Sequence, residues 1–300
     1  MAVVAQLVRA LDCGSRCRGF ETRRSPIYSL SSLLAVSTLE AIILGIIQGL
    51  TEFLPVSSSG HLELGEFFLG LKDLHLFVLF DLVCHLGTLL SIFCVLYAQI
   101  KSSLMRDRTR FFQVVLGTLP LFPLVLILHP IKSLFNKPEY LGYAFLLTSL
   151  LLYLGTNFGN NKTPQRLEKR KWRDALMVGV FQAIAIIPGV SRSGSTISAG
   201  LLLGWKPADA ATFSFLLAIP AILGGCVVEL LDYSLHANTF ATISPIQYIA
   251  GFFCSFIVGY FALRLVMHLA VKQKLHYFIW YCFFLGLTTL IYFNFIHAHV

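Results

Sequence analysis

Long apolar runs constrain the fold of this chain more than any other feature. Six of them are long enough to cross the roughly 30 Å of bilayer hydrocarbon, which takes about 20 helical residues. They occupy approximately residues 74–99, 111–130, 139–158, 207–231, 247–268 and 276–296. Because 56% of the residues are hydrophobic and only 13% are charged, a water-soluble fold could not bury this apolar surface. The sequence therefore predicts an all-α polytopic membrane protein with six transmembrane helices.

Two further apolar regions, 39–70 and 173–204, are interrupted in the middle by Pro, Gly and Ser. Each half is too short to span a bilayer. Irregular backbone at membrane depth is tolerated only inside protein or beside a water-filled cavity. We therefore predict that each region is a re-entrant helical hairpin buried in the helix bundle.

The two interrupted regions are copies of each other. A shift of 134 positions aligns them without a gap. Gly45, Gln48, Val56, Ser57, Ser59, Gly60, Leu69 and Gly70 then fall on Gly179, Gln182, Val190, Ser191, Ser193, Gly194, Leu203 and Gly204. The sequence thus predicts one membrane domain at 39–300, built from repeat 1 at about 39–162 and repeat 2 at about 173–296.

Each predicted repeat contains one returning hairpin and three crossings, so the second repeat is inverted relative to the first. The loop charges agree with this topology. One side of the membrane collects Lys101, Arg106, Arg108, Arg110, Lys162, Arg166, Lys169, Arg170, Lys171, Arg173, Lys206, Lys272 and Lys274, and the other has Lys72, Lys132 and Lys137. By the positive-inside rule, the first side is cytoplasmic and the second hairpin enters from it. The net charge of +8 is therefore interpreted as a topology signal and does not predict nucleic-acid binding.

Residues 1–38 differ from the rest of the chain. Five Arg residues are scattered there among Gly, Ser and Cys, without the apolar core and cleavage site of a signal peptide. The stretch resembles the peptides obtained when a transfer-RNA gene is translated. We predict an atypical N-terminal extension that results from a start codon assigned too far upstream.

The first hairpin carries a carboxylate and a hydroxyl-rich break. Gln48 and Glu52 are four residues apart and share a helix face. An ionisable group at membrane depth indicates function, the alternative being a Glu52 solvated by lipid headgroups. The break, Ser57, Ser58, Ser59 and Gly60, can expose backbone N–H groups at a helix N-terminus, which favours a phosphate site; ordinary helix capping is the alternative. His61 follows Ser58 by three residues and could exchange protons with its hydroxyl.

In the second hairpin, Arg192 stands where the first has Ser58. A guanidinium inside an apolar region requires an anion, and bidentate contact with phosphate fits its shape. Extension of Arg192 to the cytoplasmic interface is the alternative. The neighbouring residues that can bind the same anion are Ser191, Ser193, Gly194 and Thr196.

Further polar residues lie within or near the predicted spans. Asp81 and His85, four residues apart in the first full span, form either a wall of the site or a structural contact between helices. The remaining acidic residues lie near predicted helix ends and are expected to be mostly solvated: Glu40, Glu63, Glu66, Glu229 and Asp232.

The segments GIIQGLTEFLPVSSSGHL (45–62) and PGVSRSGST (188–196) resemble the two signature regions of the undecaprenyl-diphosphate phosphatase family linked to bacitracin resistance. The resemblance covers about 39–300. It implies hydrolysis of undecaprenyl diphosphate to undecaprenyl phosphate and inorganic phosphate, which recycles the lipid carrier of cell-wall synthesis. It further implies two inverted repeats in the inner membrane, a site open to the periplasmic side, and a divalent cation, Mg²⁺ or Ca²⁺, as activator.

By position, the resemblance implies Glu52, Ser58, His61 and Arg192 as catalytic residues. The implied substrate-binding residues are Gln48, Ser57, Ser59, Gly60, Ser191, Ser193, Gly194 and Thr196. Relatives often have Glu at position 48. The neutral Gln48 of this chain leaves Glu52 as the main candidate metal ligand or base.

Three reaction routes are open at this stage: attack by Ser58 with His61 as proton carrier, attack by His61, or attack by a water that Glu52 activates. The rival function is a polyprenyl-phosphate flippase or another secondary transporter, since inverted repeats with broken helices are common in carriers. A carrier needs the anion clamp but no positioned nucleophile. The expected partners are a polyprenyl diphosphate and membrane lipids, and a homodimer is left open.

Overall fold

Helices form every regular element that the structure describes. The computed structural model describes residues 36–71, 78–125, 139–159, 172–236 and 243–296. The helices are α1 (Thr38–Phe53), α2 (Ser58–Phe68), α3 (Val78–Val95), α4 (Tyr97–Met105), α5 (Arg108–Thr118), α6 (Phe122–Val125), α7 (Glu139–Gly159), α8 (Trp172–Ile184), α9 (Arg192–Leu202), α10 (Pro207–His236), α11 (Pro245–Val271) and α12 (Tyr277–Ile291). A 3₁₀ turn (Leu119–Leu121) joins α5 to α6, and a π-helical turn (Tyr292–Ile296) follows α12.

Five described segments are long and apolar enough to cross a bilayer. They are Val78–Val95, Glu139–Gly159, Pro207–Leu231, Pro245–Val271 and Tyr277–Ile296. They coincide, apart from small shifts at their ends, with five of the six predicted spans. The described residues therefore confirm the prediction of a helical, multi-pass membrane protein.

The one remaining predicted span, 111–130, is not a single continuous helix. Helix α5 ends at Thr118 and Pro120 lies in the 3₁₀ turn that follows. Proline lacks a backbone N–H and disturbs a regular α-helix around it. The last part of this predicted span, residues 126–130, lies outside the described residues.

Both interrupted regions consist of two short helices around a break. Shifting the bounds of α2 by 134 positions gives the bounds of α9. Both helices end in the same way, because Gly70 and Gly204 adopt φ values of 73° and 82°, which favour glycine. The N–H groups of Leu71 and Trp205 then close the helix ends by bonding Glu66 O and Gly200 O. The two short helices that the 134-residue shift aligns thus have the same bounds and the same kind of C-terminal end.

The two halves of the chain interlock. Helix α1 packs on α11, and its repeat partner α8 packs on α5; α7 packs on α12. Glycines bring α1 and α11 close together, since a Cβ at Gly49 would lie 2.7 Å from Ser255 O. Helices of one half therefore hold the hairpin of the other half.

Helix α1 begins with a capping box. Ser37 Oγ accepts from Glu40 N at 3.2 Å, and Glu40 Oε2 accepts from Ser37 N at 2.6 Å. Glu40 thus has a capping role beyond solvation. The prediction that 1–38 is an atypical extension falls, up to residue 35, outside the described residues.

Candidate active site

A buried carboxylate lies where the two hairpins meet. Glu52, near the end of α1, is only 6% exposed. Its Oε1 accepts a hydrogen bond from Arg192 Nη2 at 2.5 Å and forms an ion pair with that guanidinium. Its Oε2 accepts from Ser58 Oγ at 2.6 Å and from Gln48 Nε2 at 3.1 Å. The fold thus gathers three predicted site residues around the carboxylate of a fourth, as a buried charge requires an opposite charge and hydrogen bonds.

Part of the hydrogen-bonding capacity beside this carboxylate is unused by the described residues. Arg192 Nη1 and Gln48 Oε1 are buried without hydrogen-bond partners there. A buried donor left unpaired costs about 1–3 kcal/mol. Arg192 therefore holds Glu52 with one N–H edge and retains donors for an anionic ligand. The guanidinium is therefore paired with Glu52 inside the protein, in contrast to the alternative in which it extends to the membrane surface.

Two helix N-termini point their N–H groups toward the same region. Ser57 caps α2 by accepting from Gly60 N at 3.3 Å, and Ser191 caps α9 by accepting from Gly194 N at 3.0 Å. Helix N-termini carry partial positive charge and attract phosphate. The capping alternative given for the first break thus holds for Ser57, and Ser191 caps its helix in the same way, whereas Ser58 directs its hydroxyl to Glu52.

Hydrogen bonds between the two breaks fix them against each other. Ser59 Oγ accepts from Gly189 N at 3.3 Å. Ser193 Oγ donates to Leu54 O at 3.1 Å. These two serines therefore hold the hairpins in register around the carboxylate.

A cavity of about 230 Å³ opens beside Glu52, between the hairpins, α3 and α10. The predicted site residues in its wall are Glu52, Ser57, Ser58, Ser59, Ser191 and Arg192. Other predicted residues lie behind the wall. Thr196 Oγ1 is 2.6 Å from Ser214 Oγ of α10 and is positioned to seat α9.

The two glycines of the breaks allow close packing. A Cβ on Gly60 would lie 2.7 Å from the Phe145 ring, and one on Gly194 would lie 3.1 Å from Ser191 Cβ. Any side chain at Gly60 would therefore push α2 away from α7.

His61 has partners other than Ser58. Its Nδ1 lies 2.6 Å from Ser57 O, and since a carbonyl only accepts, Nδ1 carries the hydrogen. Its Nε2 is then the acceptor for the Tyr281 hydroxyl at 2.8 Å. The imidazole stacks on the Tyr281 ring and meets the edge of Phe145. Sequence reasoning missed Tyr281, which lies 220 positions away.

His85 is the histidine in the cavity wall. Its Nδ1 donates to Asp81 O at 2.7 Å, so in the neutral ring Nε2 is an acceptor. That Nε2 lies 3.9 Å from Glu52 Oε2. Two alternatives were given for the Asp81–His85 pair, a wall of the site or a structural contact. His85 therefore follows the first, because it forms part of the cavity wall.

Two acidic residues that were expected to be solvated near helix ends lie elsewhere. Glu66 is only 3% exposed, and Glu229 lies in the cavity wall. Helix α10 continues beyond Glu229 to His236, so this carboxyl is not at a helix end. Glu66 belongs to the second half of a hairpin packed inside the bundle, where proximity to a predicted end does not mean exposure.

The donor set around Glu52 does not fit a metal ion held by the protein. Both carboxylate oxygens already accept from Arg192, Ser58 or Gln48, and Gln48 turns its NH₂ group toward the carboxylate. A cation there would face the guanidinium. The described residues also contain no group of three or more His, Cys, Asp or Glu that could hold a metal ion. We therefore derive no step through a protein-held metal.

The sequence is similar to known proteins over most of its length. The sequence model of the family described as "Bacitracin resistance protein BacA" matches residues 41–288. An undecaprenyl-diphosphatase from Protochlamydia amoebophila is 52% identical over 256 residues, covering 85% of this chain and 98% of the relative. Undecaprenyl-diphosphatases from Carboxydothermus hydrogenoformans and Bacteroides thetaiotaomicron are 39% and 36% identical, each covering 85% of this chain and 97% and 99% of the relative.

Proposed function

The chain belongs to the bacitracin resistance protein BacA family, and from this premise we propose that it hydrolyses undecaprenyl diphosphate to undecaprenyl phosphate and inorganic phosphate. The enzyme is a lipid diphosphate phosphatase of a multi-pass membrane protein family. The observation that carries the proposal is the Ser58–Glu52–Arg192 constellation, a hydroxyl and a guanidinium on one buried carboxylate between two helix N-termini. Recycling of the lipid carrier and resistance to bacitracin follow from this reaction.

Binding of the diphosphate rests on positive groups that are already in place. Arg192 has unused N–H donors in the cavity wall, and the N-termini of α2 and α9 add their partial charges. Phosphoryl transfer depends mainly on positioning and on stabilisation of charge on the equatorial oxygens. These groups need little rearrangement to meet that charge.

Ser58 is the nucleophile that the geometry favours among the three routes. Its Oγ already donates to Glu52 Oε2, so the carboxylate can take the proton as Oγ bonds to the terminal phosphorus. The bond from that phosphorus to the bridging oxygen breaks, and undecaprenyl phosphate leaves. Water then attacks the phosphoserine, the P–Oγ bond breaks, and Glu52 returns its proton to Ser58 as inorganic phosphate leaves. Attack by His61 is disfavoured because its Nε2 accepts from Tyr281.

The test is phosphate release by the purified protein in detergent. Ser58→Ala removes the nucleophile and is expected to lower turnover by more than about 100-fold. Ser103→Ala is the matched control, since Ser103 Oγ donates to Gln99 O within α4 and Ser103 is not part of the cavity wall; it should stay within about 5-fold of the parent.

The outcomes separate the functions. Near-normal turnover of Ser58→Ala would exclude Ser58 as nucleophile and favour a water activated by Glu52. Absence of phosphate release from the parent protein would overturn the enzyme and favour the flippase alternative. That alternative needs no hydroxyl held on a carboxylate, and the relatives carry the name of diphosphatases.

We also infer that the hairpins are re-entrant, that the second half is inverted, and that the cavity faces the periplasmic side of the inner membrane. Support comes from the equal bounds of α2 and α9 under the repeat shift, from the interlocked packing, and from the loop charges. A homodimer stays a prediction that mass measurement in a detergent micelle would test.

A further inference from the structure

His61 holds the helix cap that precedes Ser58. Its Nδ1 donates to Ser57 O at 2.6 Å, and its backbone N–H donates to the same oxygen at 3.3 Å. Ser57 has φ 75° and ψ 101°, a conformation that a residue with a side chain rarely adopts. Such a conformation persists only where the surrounding contacts enforce it. The imidazole therefore helps to fix the peptide group that joins Ser57 to Ser58.

The second repeat makes the same bond with a different side chain. The shift of 134 positions places Ser195 on His61, and Ser195 Oγ donates to Ser191 O at 2.8 Å. Ser191 has φ −71° and ψ 118°, an ordinary extended conformation. The bond that the two repeats share requires a donor to the carbonyl four positions earlier. It does not require a group that exchanges protons.

His61 differs from Ser195 because it is also anchored on a distant helix. Tyr281 of α12 donates its hydroxyl to His61 Nε2 at 2.8 Å, and the two rings stack with their centroids 5.7 Å apart. The Phe145 ring meets the imidazole edge-on at a centroid distance of 5.3 Å. Both ring nitrogens are thus bonded, and His61 is not among the described residues that line the cavity beside Glu52. An imidazole held in this way is placed to orient the cap and not to carry protons to the substrate.

We propose that Tyr281 and His61 are positioning residues for the reaction. Tyr281 fixes the imidazole, and the imidazole fixes the peptide group between Ser57 and Ser58. That peptide group directs the Ser58 hydroxyl to Glu52 Oε2, 2.6 Å away. A displacement of about 1 Å at a reacting group can cost about 100-fold in rate. The inference rests on the proposed function, in which Ser58 attacks the substrate, and it replaces the catalytic role that the family resemblance implies for His61.

The experiment compares His61→Asn with His61→Ala in purified protein in detergent, with undecaprenyl diphosphate as substrate. An Asn amide can donate to the carbonyl four positions earlier, as Asn157 Nδ2 does to Tyr153 O at 3.1 Å, but it cannot exchange protons as an imidazole does. His61→Ala should lower kcat by about 100-fold. His61→Asn keeps the donor, so its kcat should stay at least about 10-fold above that of His61→Ala. KM should change less than about 3-fold in both variants, because Arg192 still binds the diphosphate.

Tyr281→Phe tests whether the tyrosine acts through the histidine. The change removes the hydroxyl and keeps the stacked ring, so kcat should fall by about 3- to 10-fold in the parent. In the His61→Asn background, the same change should alter kcat by less than about 2-fold, because the hydroxyl then has no imidazole to bond. Tyr277→Phe is the matched control, since Tyr277 begins the same helix and is 55% exposed; kcat should stay within about 2-fold of the parent.

Thermal unfolding in detergent guards against misfolding, because kcat is then counted per folded protein. If His61→Asn were as inactive as His61→Ala, the imidazole would be a reacting group and the positioning role would be overturned. Parent-like kcat of His61→Ala would overturn it as well. An equal effect of Tyr281→Phe in the parent and in the His61→Asn background would contradict action through His61. Absence of phosphate release from the parent protein would overturn the proposed function instead.

Discussion

At the scale of single residues, one difference between the repeats divides their roles. Ser58 and Arg192 occupy equivalent positions, and both bond the same carboxylate, Glu52. Neither the Glu52 carboxylate nor the Arg192 guanidinium is stable alone at membrane depth. As an ion pair the two charges compensate each other, and the Ser58 hydroxyl lies beside them. The duplicated helix start thus supplies a reactive group from one copy and an anion-binding group from the other.

Arg192→Lys tests the two-sided role of the guanidinium. A Lys ammonium keeps the charge but is a point donor that cannot bond Glu52 and a phosphate through two separate edges. We expect kcat/KM to fall by about 10- to 100-fold, since a hydrogen bond to a charged group contributes roughly 1.5–3 kcal/mol. Phosphate release measures it.

The matched control is Arg264→Lys, because Arg264 bonds only the Tyr260 hydroxyl and ring among its described contacts. It should change turnover less than about 2-fold. Parent-like turnover of Arg192→Lys would contradict the two-sided role.

At the scale of elements, the two helix starts are alike in hydrogen bonding and different in backbone. Ser57 has φ 75°, in the left-handed region, whereas Ser191 has φ −71°. Both hydroxyls cap their helices. The first break is therefore strained at its cap and the second is not.

This difference predicts the response of the caps to glycine and alanine. Ser→Ala removes a cap bond at about 1 kcal/mol, and Ser→Gly is milder. At Ser57, glycine also relieves a left-handed conformation that costs a side-chain residue roughly 1–2 kcal/mol. The stability advantage of Gly over Ala should thus be larger at 57 than at 191, measured by thermal unfolding in detergent. Equal advantages at the two positions would argue against strain at Ser57.

At the scale of the whole molecule, the interlocked halves place both hairpins in one bundle. The first helix of each hairpin packs on a helix of the other half, α1 on α11 and α8 on α5. A site that needs Glu52 from one half and Arg192 from the other forms only when both halves are folded together. Glycine contacts such as Gly49 against Ser255 O make this packing close.

The orientation of the chain predicts which side of the membrane is accessible. In a background without native cysteines, Leu71→Cys should react with a membrane-impermeant maleimide in spheroplasts. Arg106→Cys, beyond the other end of α3, should react only after permeabilisation, because its loop carries the cytoplasmic positive charge. The opposite labelling pattern would invert the proposed topology.

Much of this protein could be predicted from its sequence, because hydrophobic length, helix breaks and repeats are local properties. The five described spans, both broken hairpins and the repeat relation of α2 to α9 follow from such patterns. The span at 111–130 was harder to predict, since Pro120 interrupts a run that is mostly apolar. Glu52 and Arg192 were predicted from the cost of charged groups at membrane depth, whereas Gln48 and Ser58 were predicted from their spacing to Glu52 and His61 and from the family resemblance.

The sequence by itself therefore determined the membrane class, the repeated helix ends and the chemical groups of the site. Only the tertiary structure decided which groups face the cavity. Spacing favoured His61 beside Ser58, but packing turns His61 to Tyr281 and brings His85 to 3.9 Å from Glu52. The physical reason is that the direction of a side chain depends on how its helix is rotated against helices that are distant in sequence, and no local pattern encodes that rotation.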